Sequence, residues 1–409
     1  MRPWDAAHLN GGGVLVEALE SNFRKQFRRG GDLSELNSKR VSLGDPVPWF
    51  RAGTLSGGKF DISISAGRWV LLAFLGPLSE PRAQDRLAAL QKYARLNTDD
   101  HLVICVVLDS PPNNTAPLRA ISGPVLKFIA DYDGAIGKYY GAHEKPRTIA
   151  LDPMLRAIAN IPIDDPGGHD QVLDRLLSGL PSVDNSAGVP LTAPVLMVPR
   201  IFDFPLCDLL VAIYEKVGGT DSGFLISVDG QPAMLTDHNQ KRRQDMVIVP
   251  PDLRRRIRER IVTRLLPAVE LFFQFRATRM DRYIVSCYDS GTGGHFFRHR
   301  DNLNTGVEHR RFAFSLNLNS SYEGCELIFP EFGRRKYRAP AGGAIVFSCG
   351  ALHEVSPITK GRRYAFLSFL YGEADAKKSM RNNALLHDVD PNYQADEDRL
   401  YPEPETCES

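Results

Sequence analysis

Two hydrophobic periods divide this chain. Residues 69–75 and 101–108 are apolar throughout and predict strands buried on both faces, while Leu87, Leu90 and Tyr93 give residues 82–95 helical spacing. Residues 125–130 and 136–140 read as helices, and 148–151 as a strand ending in the turn Asp152-Pro153. Strands alternating with helices imply a mainly parallel sheet with helices on its faces. Residues 181–199 are rich in Pro, Ser, Gly and Asn, the composition of a linker. Beyond it, Leu209, Leu210, Ile213 and Val217 share one face of a helix over 207–217. A longer helix opens at Pro251-Asp252 with Asp252 as candidate cap, and Leu253, Ile257, Ile261 and Leu265 form its buried stripe. Strand candidates then follow at 282–288, 310–319, 326–329, 344–348 and 363–371, separated by Gly, Pro, Asn and Ser turns. Within 311–319 the bulky Phe312, Phe314, Leu316 and Leu318 alternate with Ala313, Ser315 and Asn317. One face packs against something bulky and the other lines something small or polar. The pattern leaves open which face points inward, so Asn317 is a weak pocket candidate.

A length of 409 residues favours two domains over one core. The boundaries read as an arm at 1–40 with a short helix at 17–29, a first domain at 41–182 and a linker at 183–197. A second domain at 198–373 and a polar acidic tail at 374–409 complete the chain, with Leu385, Leu386 and Tyr401 as candidates to dock on the core. A 43% hydrophobic and 24% charged composition is that of a soluble globular protein, and a net charge of +1 argues against a general polyanion binder. The arginine run from Arg254 to Arg264 is interrupted by Glu259 and lacks interleaved aromatics, so a solvated helix face outweighs a nucleic-acid site. No apolar run approaches a membrane span, and the polar, glycine-rich first residues lack a signal-peptide core. The six cysteines, without a C-x-x-C pair, read as reduced thiols. A cytoplasmic protein with no membrane or nucleic-acid partner is expected.

Candidate chemistry concentrates between Tyr288 and Tyr371. His299-Arg300-Asp301 follows the glycine-rich residues 291–294, His353 comes 54 residues after His299, and Arg363 ten residues later still. An H-x-D pair alone is a weak signal in a chain with ten histidines. The ordered set is stronger: two imidazoles and one carboxylate on one face of a metal form the ligand set of non-haem Fe(II) oxygenases. In an extended segment His299 and Asp301 point the same way, so the third ligand must arrive from another strand. Arg363 is the cationic fork that could hold the remote carboxylate of a bound diacid.

Residues 281–372 resemble the catalytic core of the prolyl 4-hydroxylase-like 2-oxoglutarate- and Fe(II)-dependent dioxygenases. The resemblance is carried by Arg282-Tyr283, Cys287-Tyr288, His299-Arg300-Asp301, Gly324-Cys325-Glu326-Leu327, residues 340–347 and residues 353–363. It implies a double-stranded β-helix (jelly-roll) with flanking helices, Fe(II) on His299, Asp301 and His353, and Arg363 on the 2-oxoglutarate C5 carboxylate. Tyr288 would hydrogen-bond near that carboxylate. It further implies O2 as co-substrate, ascorbate as reductant, and hydroxylation of an unactivated C–H with release of succinate and CO2. The substrate would be a protein or an amino-acid-derived metabolite.

Residues 43–181 resemble, more softly, the thioredoxin-fold peroxiredoxins (the alkyl hydroperoxide reductase and thiol-specific antioxidant group). The matching pieces are residues 43–50, Asp131-Tyr132-Asp133-Gly134, Tyr140-Gly141 and residues 147–153. The pattern breaks where the peroxidatic cysteine belongs, since residues 76–82 contain none and Cys105 lies within an apolar strand. Ser79 in that stretch has no base nearby in sequence. The resemblance therefore implies a thioredoxin-like scaffold without thiol peroxidase chemistry, serving as a substrate-recruiting or homodimerisation module. Two rival readings are a redox protein of peroxiredoxin type and a catalytically idle interaction protein.

Overall fold

The apolar strands Trp69–Phe74 and Leu102–Leu108 are buried at every position and run parallel to one another. They need cover on both faces, and a computed structural model supplies it, describing residues 41–143, 145–163, 166–228, 231–386 and 399–401. The helix expected at 17–29 lies outside those residues. Leu126–Ala130 extends the sheet in parallel on one side. On the other, Arg147–Leu151 and Ala157–Pro162 are added antiparallel. Trp69, Leu71, Ile104 and Val106 pack on one face with Leu87 and Leu90 of helix Pro81–Leu96 and Leu173 of helix Pro166–Gly179. Val70, Leu72, Val103 and Cys105 pack on the other with Phe60, Ile62, Tyr140 and, from far along the chain, Leu352.

The helical reading of residues 125–130 is corrected: Leu126–Ala130 is a strand. A run this short cannot sustain a helix alone, and the free edge of Leu102–Leu108 offers it a hydrogen-bonded ladder. Residues 183–197 are largely exposed but anchored at two points: Val183 is buried in the first core, and Ala193 donates its N–H to Tyr337 Oη at 2.9 Å. The next strand, Leu196–Val198, pairs with Ala344–Val346. Asp252 is not the cap of helix Pro251–Arg264; Pro250 takes that place and Asp252 sits in the first turn, paired with Arg255 at 3.1 Å. The acidic tail also opens with structure, a helix at Glu373–Leu386, and Leu400 and Tyr401 pack on the core. The described residues from 41 on belong to one compact unit.

Besides the two-stranded hairpin of Phe224–Val228 with Gln231–Leu235, the C-terminal half holds two larger sheets. Leu196–Val198, Ala344–Ser348, Phe312–Asn317, Ile358–Tyr371, Arg279–Asp289, Gln244–Val247 and Thr220–Asp221 succeed one another in the larger sheet. The smaller runs Lys241–Arg242, His295–His299, His353–Val355, Leu327–Ile328, Lys336–Tyr337. The alternation in Phe312–Asn317 now has a direction. Phe314 and Leu316 pack with Leu206, Leu210, Ile257 and Ile261 of the helices Phe204–Val217 and Pro251–Arg264 behind the larger sheet. Ala313 faces the other way, into a cluster of Phe296, Leu327 and Val355 from the smaller sheet and Tyr288, Ile345 and Phe347 from the larger. Two sheets sharing one core in this way form the jelly-roll arrangement. Among the described residues no helix is long and apolar enough to cross a membrane.

Candidate metal centre and cosubstrate pocket

His299 ends its strand and His353 begins the neighbouring one, where the two are register partners. Asp301 lies just past the strand end, held by its N–H to Cys349 O at 2.9 Å. The three side chains converge: Asp301 Oδ1 is 3.6 Å from His299 Nε2 and Oδ2 is 3.4 Å from His353 Nε2. All three potential ligand atoms lie within 4.8 Å of one another. His299 Nδ1 is 2.7 Å from Phe297 O and His353 Nδ1 is 3.1 Å from Ala351 O. A protonated Nδ1 donating to a carbonyl leaves Nε2 as a lone pair, the tautomer a metal needs. Phe296 stacks on the His299 ring at 3.5 Å and Phe347 approaches the His353 ring at 4.6 Å. Burial, then the neighbouring His353, pushes the His299 pKa well below its ordinary value, which favours the neutral imidazole.

The donor set fits a divalent ion of intermediate hardness such as Fe(II): two neutral imidazoles and one carboxylate, their second nitrogens already engaged.

Arg363 lies opposite Tyr288 across the pair of Arg279–Asp289 with Ile358–Tyr371, its guanidinium carbon 5.5 Å from the Tyr288 ring centre. It is buried, donating from Nε to Asn317 Oδ1 at 2.9 Å and from Nη2 to Ser315 Oγ at 2.6 Å. Asn317 in turn donates to Ala339 O at 2.7 Å. Both ends of its amide are therefore engaged with the protein, which places Asn317 to orient Arg363. The Tyr322 hydroxyl is buried without a hydrogen-bond partner among the described residues and lies within electrostatic reach of Arg363. A buried guanidinium beside an orphaned phenol suits a carboxylate ligand.

Sequence reasoning missed a second group of polar residues. The segment at 241–247 crosses between the sheets: Lys241 pairs with Phe296 beside the metal ligands, and Gln244 pairs with Cys287 of the larger sheet. At the crossing, Arg243 Nη1 reaches Tyr288 Oη at 3.5 Å while Nη2 bonds Asp245 at 2.6 Å. Lys241 Nζ donates to Ser222 Oγ and Gly223 O, each at 2.7 Å, and lies 4.9 Å from the Phe296 ring centre. These residues lie more than 40 positions before Tyr288 and form no sequence motif with it, so only strand pairing could reveal them.

Residues 283–371 match the family model of the 2OG-Fe(II) oxygenase superfamily. A PKHD-type hydroxylase from Synechococcus is 32% identical over 117 residues, covering 26% of this chain and 51% of that protein. The PKHD-type hydroxylase PiuC of Pseudomonas aeruginosa is 25% identical over 209 residues, 49% of this chain and 87% of that protein. The chain thus spans about half the length of the Synechococcus relative and more of PiuC. Among solved structures, a Pseudomonas putida prolyl-4-hydroxylase aligns at 17% identity and a TM-score of 0.34, covering 46% of this chain and 95% of that one. A Trichoplax adhaerens prolyl hydroxylase, solved with a hypoxia inducible factor peptide fragment, aligns at 16% and 0.36, covering 51% and 94%. The family match falls wholly in the C-terminal half, clear of residues 41–182. The C-terminal part of this chain is a 2OG-Fe(II) oxygenase domain with PKHD-type hydroxylases among its relatives.

Proposed function

We propose that the protein is an Fe(II)- and 2-oxoglutarate-dependent dioxygenase that hydroxylates an unactivated C–H of a protein or amino-acid-derived substrate, as a prolyl hydroxylase does. One observation carries this function: His299, Asp301 and His353 present their ligand atoms within 4.8 Å of one another, with both Nδ1 atoms already bonded. When bound, Fe(II) with 2-oxoglutarate and O2 supplies the oxidising power, with succinate and CO2 as coproducts and ascorbate as reductant of iron left oxidised.

The chain's own residues do the rest. His299, Asp301 and His353 hold the ion on one side and leave the other open. Arg363, set by Asn317 and Ser315, clamps the far carboxylate of the cosubstrate, with the Tyr322 hydroxyl as a second donor. Tyr288, between Arg363 and Arg243, walls the pocket; burial raises its pKa, so the phenol stays protonated and able to donate. Phe296 and Phe347 flank the imidazoles and limit water.

For residues 41–182 the proposed role is a peroxiredoxin-like scaffold without thiol chemistry. A reactive cysteine needs a stabilised, accessible thiolate. Cys105, Cys207, Cys287, Cys325 and Cys349 are all buried, and burial pushes the Cys105 thiol up to about 12.

The test is anaerobic. Fe(II) and 2-oxoglutarate titrated into the full chain should raise the weak visible metal-to-ligand charge-transfer band, and His299→Ala should abolish it. Absence of the band at saturating iron would refute the assignment.

A further inference from the structure

Arg300 stands between two of the metal ligands, and its side chain points away from them. It is buried, and both terminal nitrogens reach the Glu331 carboxylate, Nη2 to Oε1 at 2.8 Å and Nη1 to Oε2 at 3.2 Å. Nη1 also donates to Gly350 O, and Nη2 donates to Ser63 O at 3.0 Å. The guanidinium lies 4.6 Å from the ring centre of Trp49. Ser63 and Trp49 belong to the segment that covers the first sheet. The residue inside the H-x-D pair is thus bonded to the other half of the molecule.

The third ligand is gripped by the same carboxylate. Glu331 Oε2 accepts the N–H of Leu352 at 2.9 Å, one residue before His353. The Leu352 side chain is fully buried, in the cluster of Phe60, Ile62, Val70 and Leu72 of the first sheet. The contact is close at the backbone as well. Gly67 has φ +77°, and a Cβ there would lie 2.2 Å from Pro330 Cβ, immediately before Glu331. Two chain neighbours of the ligands, Arg300 between His299 and Asp301 and Leu352 before His353, are therefore held both by Glu331 and by the first α/β layer.

We infer that the first α/β layer is the positioning device of the metal centre, with Glu331 as the positioning residue that ties the H-x-D turn to the His353 strand across it. This inference rests on the metal-site function proposed above and gives residues 41–182 a role in it. The layer is a wall of the site, not a separable module. Ligands whose neighbours are fixed on a rigid layer keep their spacing without metal, which raises affinity by lowering the cost of ordering.

The deciding experiment is the anaerobic Fe(II) titration with 2-oxoglutarate on the full chain, comparing wild type with Glu331→Gln, Glu331→Asp and Trp49→Leu. Loss of a residue that orients metal ligands typically weakens affinity roughly 10–100-fold, and that loss is expected for Glu331→Gln with a shifted charge-transfer maximum. Glu331→Asp, which restores the charge, should recover part of the affinity. Trp49, 42% exposed, contributes little to the core, and Trp49→Leu should weaken iron binding several-fold with the fold intact. Should Glu331→Gln fail to fold, Trp49→Leu decides alone. Folded variants that bind Fe(II) within about twofold of wild type, with the band unmoved, overturn the inference. A wild-type protein that forms no band overturns the metal-site assignment, and this inference with it.

Discussion

A buried guanidinium serves as a carboxylate clamp only when its remaining donors are occupied by the protein, because an unpaired buried donor is costly. Arg363 meets that condition through Asn317 and Ser315. Asn317→Ala should leave Nε unpaired and the fork loose, weakening 2-oxoglutarate by about 10-fold or more, since a hydrogen bond to a charged group is worth about 1.5–3 kcal/mol. Titration of the cosubstrate against the charge-transfer band reads this directly, and unchanged affinity would count against Asn317 as the orienting residue. Asp245 gives a pH test of the neighbouring network. Burial alone would raise its carboxyl, but Arg243 and Lys241 outweigh burial and hold it at about 2. A folded-state value below the unfolded one stabilises the protein above the unfolded carboxylate value, about 3.9, and that stability is lost as pH falls toward 2. Melting temperature should therefore drop between about pH 4 and 2. Asp245→Asn should flatten that slope and cost about 3–5 kcal/mol at neutral pH by stranding Arg243. At this scale the grouping of His299, Asp301 and His353 was legible, because a metal site restricts the residue types that can form it. Asn317 was visible only as a small polar position, and Tyr322, Arg243 and Lys241 not at all, since their place depends on which strands pair.

Strand Phe312–Asn317 carries two functions on alternate residues, one for each face. Leu316 is fully buried against the helices, while Ser315 touches Arg363. Leu316→Ala should cost about 2–5 kcal/mol of stability and leave 2-oxoglutarate affinity near wild type. Ser315→Ala should weaken the cosubstrate, and by leaving a buried Arg363 donor unpaired it should also cost about 1–3 kcal/mol of stability. If both variants move both readouts together, the two faces are not independent. This alternation was readable in the sequence, but its direction was not, because a period of two says nothing about which side the helices cover. The same limit explains residues 125–130: a short, mostly apolar run fits one turn of buried helix or one strand, and only the edge of Leu102–Leu108 decides. Residues 183–198 were hidden for a related reason. Their composition is that of a linker, yet three residues suffice to pair with Ala344–Val346 once that edge is open.

At the scale of the whole molecule, the sequence suggests two bodies joined by a linker, and the described residues from 41 on belong to one compact unit. Among the contacts responsible are Arg300 on Ser63 and Trp49, Leu352 in the first core and Gly67 under Pro330, each individually unremarkable in sequence. None belongs to a motif, and each joins residues more than 200 positions apart. These contacts have a calorimetric consequence. If the layer and the jelly-roll unfold together, a ligand that binds only the metal site stabilises the whole unit by RT ln(1 + [L]/Kd), about 2.7 kcal/mol at 100 Kd. Scanning calorimetry of the full chain, run anaerobically with 2-oxoglutarate, should then show one main transition that rises with Fe(II) and falls back on chelation. Leu352→Ala should loosen the connection, opening a cavity in the first core at a cost of about 2–5 kcal/mol and splitting or broadening that transition. Two well-separated transitions in the wild type, of which only one responds to iron, would mean that the layer folds on its own terms and that its contacts with the ligand segments do not set the metal centre.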